Sequence, residues 1–297
     1  MSLASECGRS LTQDDDELLF PSMHFDFPSD FKLPDDITTN PFTLNNGGIQ
    51  GRIINGDTAY DKTFPYQVFF IAYHIDFQYG PNKTELCGGS IISEEFILTA
   101  AHCTAEAYYV SVGVGSSNTK KMTYHNSSYI INHPLFDPTT MQNDIALIKL
   151  CKPLKFNENI KAVQLLDAKY KCDETYLNKE CIVSGFGLTD DKSISLSNQL
   201  QYTSVTPISN IECMKYFSWL ATPLVLCTMG NNRETGPCMG DSGGPLVIYD
   251  PKDNIPIQIG IVSFGSKKGC AESPAVYTRI YIYLRWIKEI IYGIRRN

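Results

Sequence analysis

The sequence predicts an all-β protein closed by one helix at its C-terminal end. Three observations lead there. Short runs rich in Val, Ile, Tyr and Phe recur from Ile53 onward, clusters of Gly, Pro, Asn and Asp separate them, and only the last stretch carries a helical period. With 43% hydrophobic, 11% aromatic and 19% charged residues over 297 positions, the chain can bury a sizeable core, which excludes disorder throughout. No apolar run approaches about 18 residues, so no transmembrane helix is expected and the protein reads as soluble.

Residues 1–51 hold nine acids against Arg9 and Lys32, lack either hydrophobic period, and end in the turn-forming Asn45-Asn46-Gly47-Gly48. They read as an irregular acidic leader, with Asp14-Asp15-Asp16-Glu17 a solvated part of it. After it, Tyr66–Ile71, Tyr129–Ile131 and Ile257–Phe264 read as strands. Tyr281–Ile294 (YIYLRWIKEIIYGI) sets apolar residues at i, i+3 and i+4 and reads as an amphipathic helix. No period indicates a repeat array.

The formal charge of -7, with no Lys/Arg cluster beyond Arg295-Arg296, argues against a nucleic-acid or anionic-membrane partner. Ten cysteines point either to a disulfide framework in an oxidising compartment or to a metal-binding cytosolic protein. A secreted chain should open on a basic stretch and then an apolar run of about 7–15 residues. Met1–Phe20 offers neither, so a secreted reading requires a natural start upstream of Met1, and the alternative is a cytosolic chain with reduced thiols.

The chemistry begins at Gly240-Asp241-Ser242-Gly243-Gly244-Pro245, where glycines allow a tight turn and close approach of a substrate to a serine hydroxyl. A serine alone is a poor nucleophile; it needs a histidine base and a carboxylate that orients the base. Thr99-Ala100-Ala101-His102-Cys103 supplies a histidine at the end of an apolar run, and Asn143-Asp144-Ile145-Ala146-Leu147 supplies an aspartate opening another. Each motif alone is also an ordinary structural segment. Together, in the order His, Asp, Ser, they are specific.

On these motifs the sequence resembles a trypsin/chymotrypsin-type serine endopeptidase from Arg52 to the C-terminal helix. The resemblance implies two packed antiparallel six-stranded β-barrels, roughly 53–165 and 166–280, followed by a helix at roughly 281–294. It implies that Ser242 attacks the peptide carbonyl, His102 moves the proton, Asp144 fixes the imidazole, and the N–H groups of Gly240 and Ser242 form the oxyanion hole. No cofactor or metal is implied. The stretch Ser111–Phe136 holds no Asp or Glu, so the calcium loop common among trypsins is not expected here. His24, His74, His125 and His133 lack metal-ligand spacing and read as ordinary residues.

Arg52 followed by Ile53-Ile54-Asn55-Gly56 resembles the family's activation site, which makes 1–52 a pro-segment and 53–297 the peptidase domain. Cleavage would free an ammonium on Ile53 to pair with Asp241. By the same resemblance Gly236, Gly265 and Ala275 line the specificity pocket. No charge sits at Gly236, where trypsin carries a carboxylate, so large apolar or aromatic side chains are the expected substrates. An elastase-like preference for small residues is disfavoured by Gly236 and Gly265. A brachyurin-like collagenolytic breadth fits Gly236 and Val262-Ser263-Phe264-Gly265, but not Ala275, where brachyurins carry a carboxylate.

The resemblance pairs Cys87 with Cys103, Cys213 with Cys227 and Cys238 with Cys270. Cys7, Cys151, Cys172 and Cys181 are left over; of three connectivities, Cys172–Cys181 and Cys7–Cys151 are expected. Asn82-Lys83-Thr84 and Asn126-Ser127-Ser128 are glycan acceptors if the chain is secreted. The expected protein is thus a monomeric, secreted serine endopeptidase zymogen acting on proteins or peptides. An activating trypsin-like protease and protein inhibitors are its candidate partners, and nucleic acid and membrane are not. The competing class, a silent homologue acting as a binding protein, usually lacks a triad residue, and none is missing here.

Overall fold

Period-two burial builds the barrels. Along the strand Gln201–Ile208 buried and half-exposed residues alternate without a break, while Phe96–Thr99 is buried on both faces. The computed structural model describes residues 53, 56–76, 80–166, 176–177, 179–188, 195–218, 222–230, 235–266 and 269–294. The acidic leader, Cys7, Arg52 and Cys172 lie outside them.

The first barrel consists of β2 (Gln67–Asp76), β3 (Gly80–Ile91), β4 (Phe96–Thr99), β5 (Ala107–Val114), β6 (Thr123–Asn132) and β7 (Ala146–Leu150). All neighbours are antiparallel, and the sheet closes in the order β2-β3-β4-β7-β6-β5. β1 (Asp57–Thr58) and β8 (Gln164–Leu165) are two-residue strands attached to the other sheet. That sheet contains β9 (Cys181–Gly185), β10 (Gln201–Ile208), β11 (Val225–Gly230), β12 (Pro245–Tyr249), β13 (Pro256–Phe264) and β14 (Ala275–Arg279). The β9–β10 pairing closes it into a second six-stranded antiparallel barrel. Closure leaves neither barrel an unpaired edge.

Polar and aromatic contacts join the barrels. Ser90 Oγ donates to Gln258 Oε1 at 2.6 Å, and Ser184 Oγ donates to Gln67 Oε1 at 2.7 Å. Phe69 meets Phe186 edge-on at 5.7 Å, a geometry that adds about 1 kcal/mol beyond area burial.

Two helices complete the described chain. The expected C-terminal helix is α2 (Ile280–Ile294). It follows the second barrel in sequence, but Ile280, Tyr283, Ile287 and Ile290 join the core of the first barrel. Tyr281 and Leu284 touch the second core, so the helix spans both. Sequence periodicity did not predict the other helix, α1 (Asn210–Phe217). Its signal is a cap: Ser209 accepts a hydrogen bond from the Glu212 amide, the start of a Ser-x-x-Glu capping box. Only Cys213 of α1 is buried, so there is little apolar stripe to read.

Cys87–Cys103, Cys213–Cys227 and Cys238–Cys270 are disulfides. The expected Cys172–Cys181 bridge is corrected: Cys181 is a free, buried thiol on β9. Its sulfur lies inside the core of the second barrel, where burial pushes the thiol up to about 12 and leaves it inert. Cys151 is disulfide-bonded to a partner outside the described residues. Among the described residues no helix is long and apolar enough to cross a membrane.

Candidate active site

β4 ends at Thr99 and the chain turns through a 3-10 segment, Ala101–Cys103, which presents His102 at the rim of the first barrel. The Cys87–Cys103 bridge pins that turn to β3. Asp144 lies just before β7, after Asn143, whose φ of 55° is the left-handed conformation that Asn tolerates better than most residues. The Asp144 carboxylate is fully buried and grips His102 twice. Oδ1 accepts from the His102 amide and Oδ2 from His102 Nδ1, both at 2.8 Å.

Ser263 on β13 donates to the same Oδ2 at 2.5 Å, and Thr278 Oγ1 donates to the Asp144 carbonyl at 2.6 Å. The second barrel therefore holds the aspartate that orients a first-barrel histidine. Burial alone would lower the His102 pKa; the Asp144 charge and hydrogen bond, with the Glu85 charge, outweigh it and hold the pKa above the usual 6.5. In the sequence Ser263 stands out only as part of Val262-Ser263-Phe264-Gly265, and Thr278 belongs to no motif. Neither carries a local signal, because each meets Asp144 only across the barrel interface.

Ser242 sits in the turn before β12. Its carbonyl accepts from the Gly88 amide at 2.8 Å, which ties the turn to β3 one residue from Cys87 and so to the His102 segment. The Asp241, Gly243 and Gly244 amides donate to Cys238 O, Val262 O and Asp241 O. The amides of Gly240 and Ser242 have no acceptor among the described residues. Gly240 reaches this geometry at φ 93°, where a side chain would be strained. Among the described residues Ser242 Oγ and His102 Nε2 are not hydrogen-bonded; Nε2 lies 3.6 Å from Cys103 Sγ. Cys87, His102 and Cys103 cluster, but the two sulfurs are bonded to each other and offer no thiolate to a metal.

Asp241 lays its carboxylate against the end of β9 in the second barrel. Its side chain is buried against Gly185 and Gly187, where any Cβ would run into the carboxylate. Oδ1 accepts from the Gly187 amide at 2.7 Å and Oδ2 from the Cys238 amide at 2.9 Å. No cation pairs with it among the described residues, and burial pushes its pKa up to about 7 despite the two amides. Ile53 is itself fully buried, its carbonyl accepting from the Gly56 amide.

Gly236 is buried two residues before Cys238, and a Cβ there would come within 2.9 Å of the Cys270 carbonyl. Gly265 follows β13 with nothing within 4 Å of a would-be Cβ, and Ala275 is 7% exposed at the start of β14. The Cys238–Cys270 bridge ties the segments bearing Gly236 and Ala275. Asn126 is half-buried on β6, opposite Ser111. Arg52 and the Asn82 side chain lie outside the described residues.

The family model for Trypsin matches residues 53–287. A curated relative, "Collagenase" of Hypoderma lineatum, is 35% identical over 244 residues, covering 81% of this chain and 87% of that protein. A solved structure of HL collagenase superposes with a TM-score of 0.71 at 34% identity, covering 80% of this chain and 98% of that one. Two closed barrels, a C-terminal helix and these matches leave one assignment: the chain belongs to the trypsin family of serine endopeptidases.

Proposed function

We propose that the protein is a secreted zymogen which, once cut after Arg52, hydrolyses peptide bonds on the C-terminal side of large hydrophobic residues through an acyl-enzyme on Ser242. The observation that carries this reading is the pair of N–H groups on Gly240 and Ser242 that have no acceptor among the described residues, while the Asp241, Gly243 and Gly244 amides beside them are bonded. Two free donors beside a nucleophile suit the oxyanion of a tetrahedral intermediate, and losing one such donor costs about 3 kcal/mol of barrier lowering. His102 takes the Ser242 proton and returns it to the leaving amine, while Asp144 fixes the tautomer and stabilises the imidazolium. The Ser242–His102 bond closes when substrate orders the cleft, since such bonds are often open in the free enzyme.

Residues 1–52 serve as the pro-segment and 53–297 as the peptidase domain. The buried Asp241, which has no cation beside it among the described residues, supports activation by cleavage, because an isolated buried carboxylate is costly and a new ammonium on Ile53 would be its partner. Three disulfides support an oxidising, extracellular compartment, in which Asn82 and Asn126 are glycan acceptors. An activating trypsin-like protease and protein inhibitors are the partners this reading implies. A second reading, broad collagen-cleaving specificity, is favoured by the relative that bears the name collagenase.

The test is conversion with trypsin followed by N-terminal sequencing and assay on a peptide library. A new terminus at Ile53, a rise in hydrolysis, and loss of that hydrolysis in Ser242→Ala are expected. Full activity of an uncleaved Arg52→Gln protein would overturn the zymogen mechanism, and efficient cleavage of native collagen would favour the second reading.

A further inference from the structure

The loop that delivers Asp144 is held from a distant part of the chain. Tyr283, on the first turn of α2, is 3% exposed, and its hydroxyl donates to Asn143 Oδ1 at 3.0 Å across 140 positions of sequence. Asn143 passes the restraint on. Its Nδ2 donates to the Leu135 carbonyl at 2.8 Å, and its own carbonyl accepts from the Ile145 amide at 2.8 Å. Both ends of the 133–145 loop thus converge on one residue, through its side chain and its backbone carbonyl. Loop and helix also touch through His133, whose ring lies 5.3 Å from Tyr283 and 5.1 Å from Trp286, and whose amide donates to the Ile145 carbonyl.

We propose that Tyr283 is a positioning residue for the peptidase reaction: through Asn143 it fixes the left-handed turn that aims the Asp144 carboxylate at both His102 donors. The geometry leaves little slack. Asp144 must meet the His102 amide and Nδ1 with two different oxygens while Ser263 takes a second lone pair of Oδ2. A small rotation at Asn143 lengthens these bonds together, because Asn143 is the peptide immediately before the carboxylate. Thr278 anchors the Asp144 carbonyl on the far side, so Tyr283 and Thr278 hold the turn from before and after.

The hydroxyl is suited to a constant restraint. Burial and the nearby Asp144 charge push the phenol up to about 12, so it remains a donor throughout any working range. The charged groups acting on His102 itself are Asp144 and Glu85. Tyr283 therefore reaches the imidazole only by keeping the first of these in place. No other buried hydroxyl of α2 is bonded to the loop among the described residues.

This inference rests on the peptidase reading, and the experiment separates the two. Tyr283→Phe keeps the ring and its contact with His133 and removes only the donor. After cleavage at Ile53, kcat should fall roughly tenfold with KM changed less than about twofold, the pattern of lost transition-state support. The acid limb of kcat/KM should move several tenths of a pH unit downward, because a looser Asp144 supports the imidazolium less. Ile287→Val, a core change on the same helix, should lower Tm and leave that limb in place. In an Asn143→Gly background, which tolerates the left-handed turn, adding Tyr283→Phe should cost nothing more. An active wild type whose Tyr283→Phe variant keeps its kcat and acid limb overturns this proposal alone, as does a full tenfold loss persisting in the Asn143→Gly background. A cleaved wild type that neither hydrolyses peptides nor reacts at Ser242 overturns the peptidase reading and this proposal with it.

Discussion

Asp144 binds His102 at two points, the backbone amide and Nδ1, each at 2.8 Å, so a fully buried carboxylate fixes both the place and the ring orientation of the imidazole. The pairing raises the His102 pKa, and a base must be neutral to accept the serine proton. Activity should therefore fall as pH drops through a midpoint above the usual 6.5 of histidine. Glu85→Gln removes one of the charges that raise this pKa, so the acid limb of kcat/KM should move to lower pH by a few tenths of a unit. A pH–rate profile of the two proteins checks this, and an unmoved or rising limb contradicts it.

Ser263 is the third donor to that carboxylate and the one that reaches it from the second barrel. Ser263→Ala should lower kcat/KM by about tenfold, equivalent to about 1.4 kcal/mol, through kcat more than KM. Steady-state kinetics with a matched Tm measurement decides it. A loss confined to Tm would assign Ser263 to barrel docking alone.

The buried Asp241 should make the stability of the uncleaved chain depend on pH. Its folded pKa of about 7 lies above the ordinary aspartate value of 3.8, so between those values the folded state holds the proton that the unfolded state has lost. Stability should therefore fall as pH rises through that window, by an amount on the order of a few kcal/mol for a fully buried group. In an Arg52→Gln background, Asp241→Asn should flatten the slope; denaturant titrations at pH 4, 6 and 8 measure it. Equal slopes in the two proteins would show that a cation already neutralises Asp241.

The proposed pocket of Gly236, Gly265 and Ala275 makes a prediction about specificity. No carboxylate at Gly236 offsets the desolvation of a buried Arg or Lys, while Phe, Tyr or Leu gains apolar burial of about 2 kcal/mol. Cleavage after these three should exceed cleavage after Arg or Lys by at least ~10-fold in kcat/KM. Gly236→Asp should narrow the gap only in part, because its Cβ meets the Cys270 carbonyl at 2.9 Å and that backbone must give way. A wild-type preference for Arg or Lys would mean that another carboxylate reaches the pocket.

Legibility in the sequence tracked how local each cause was. The β13 run was readable because β-branched residues and a flanking turn announce it, and α2 because its apolar residues recur at helical spacing. The helix α1 was hidden: it buries only Cys213, and its one signal was the Ser209–Glu212 cap. His102, Asp144 and Ser242 stood out as motifs, whereas Ser263, Thr278 and Tyr283 bond the Asp144 segment only once the barrels and α2 are in place. Cys181 shows the same limit, since counting cysteines could not reveal that β9 buries this thiol without a partner.

Covalent labelling of the chain cut at Ile53 with an organophosphonate, followed by peptide mapping, tests whether Ser242 is the nucleophile. One adduct is expected, on Ser242, formed in the wild type, strongly slowed by His102→Ala and absent from Ser242→Ala. Equal labelling of wild type and Ser242→Ala, or an adduct on another serine, would contradict that role.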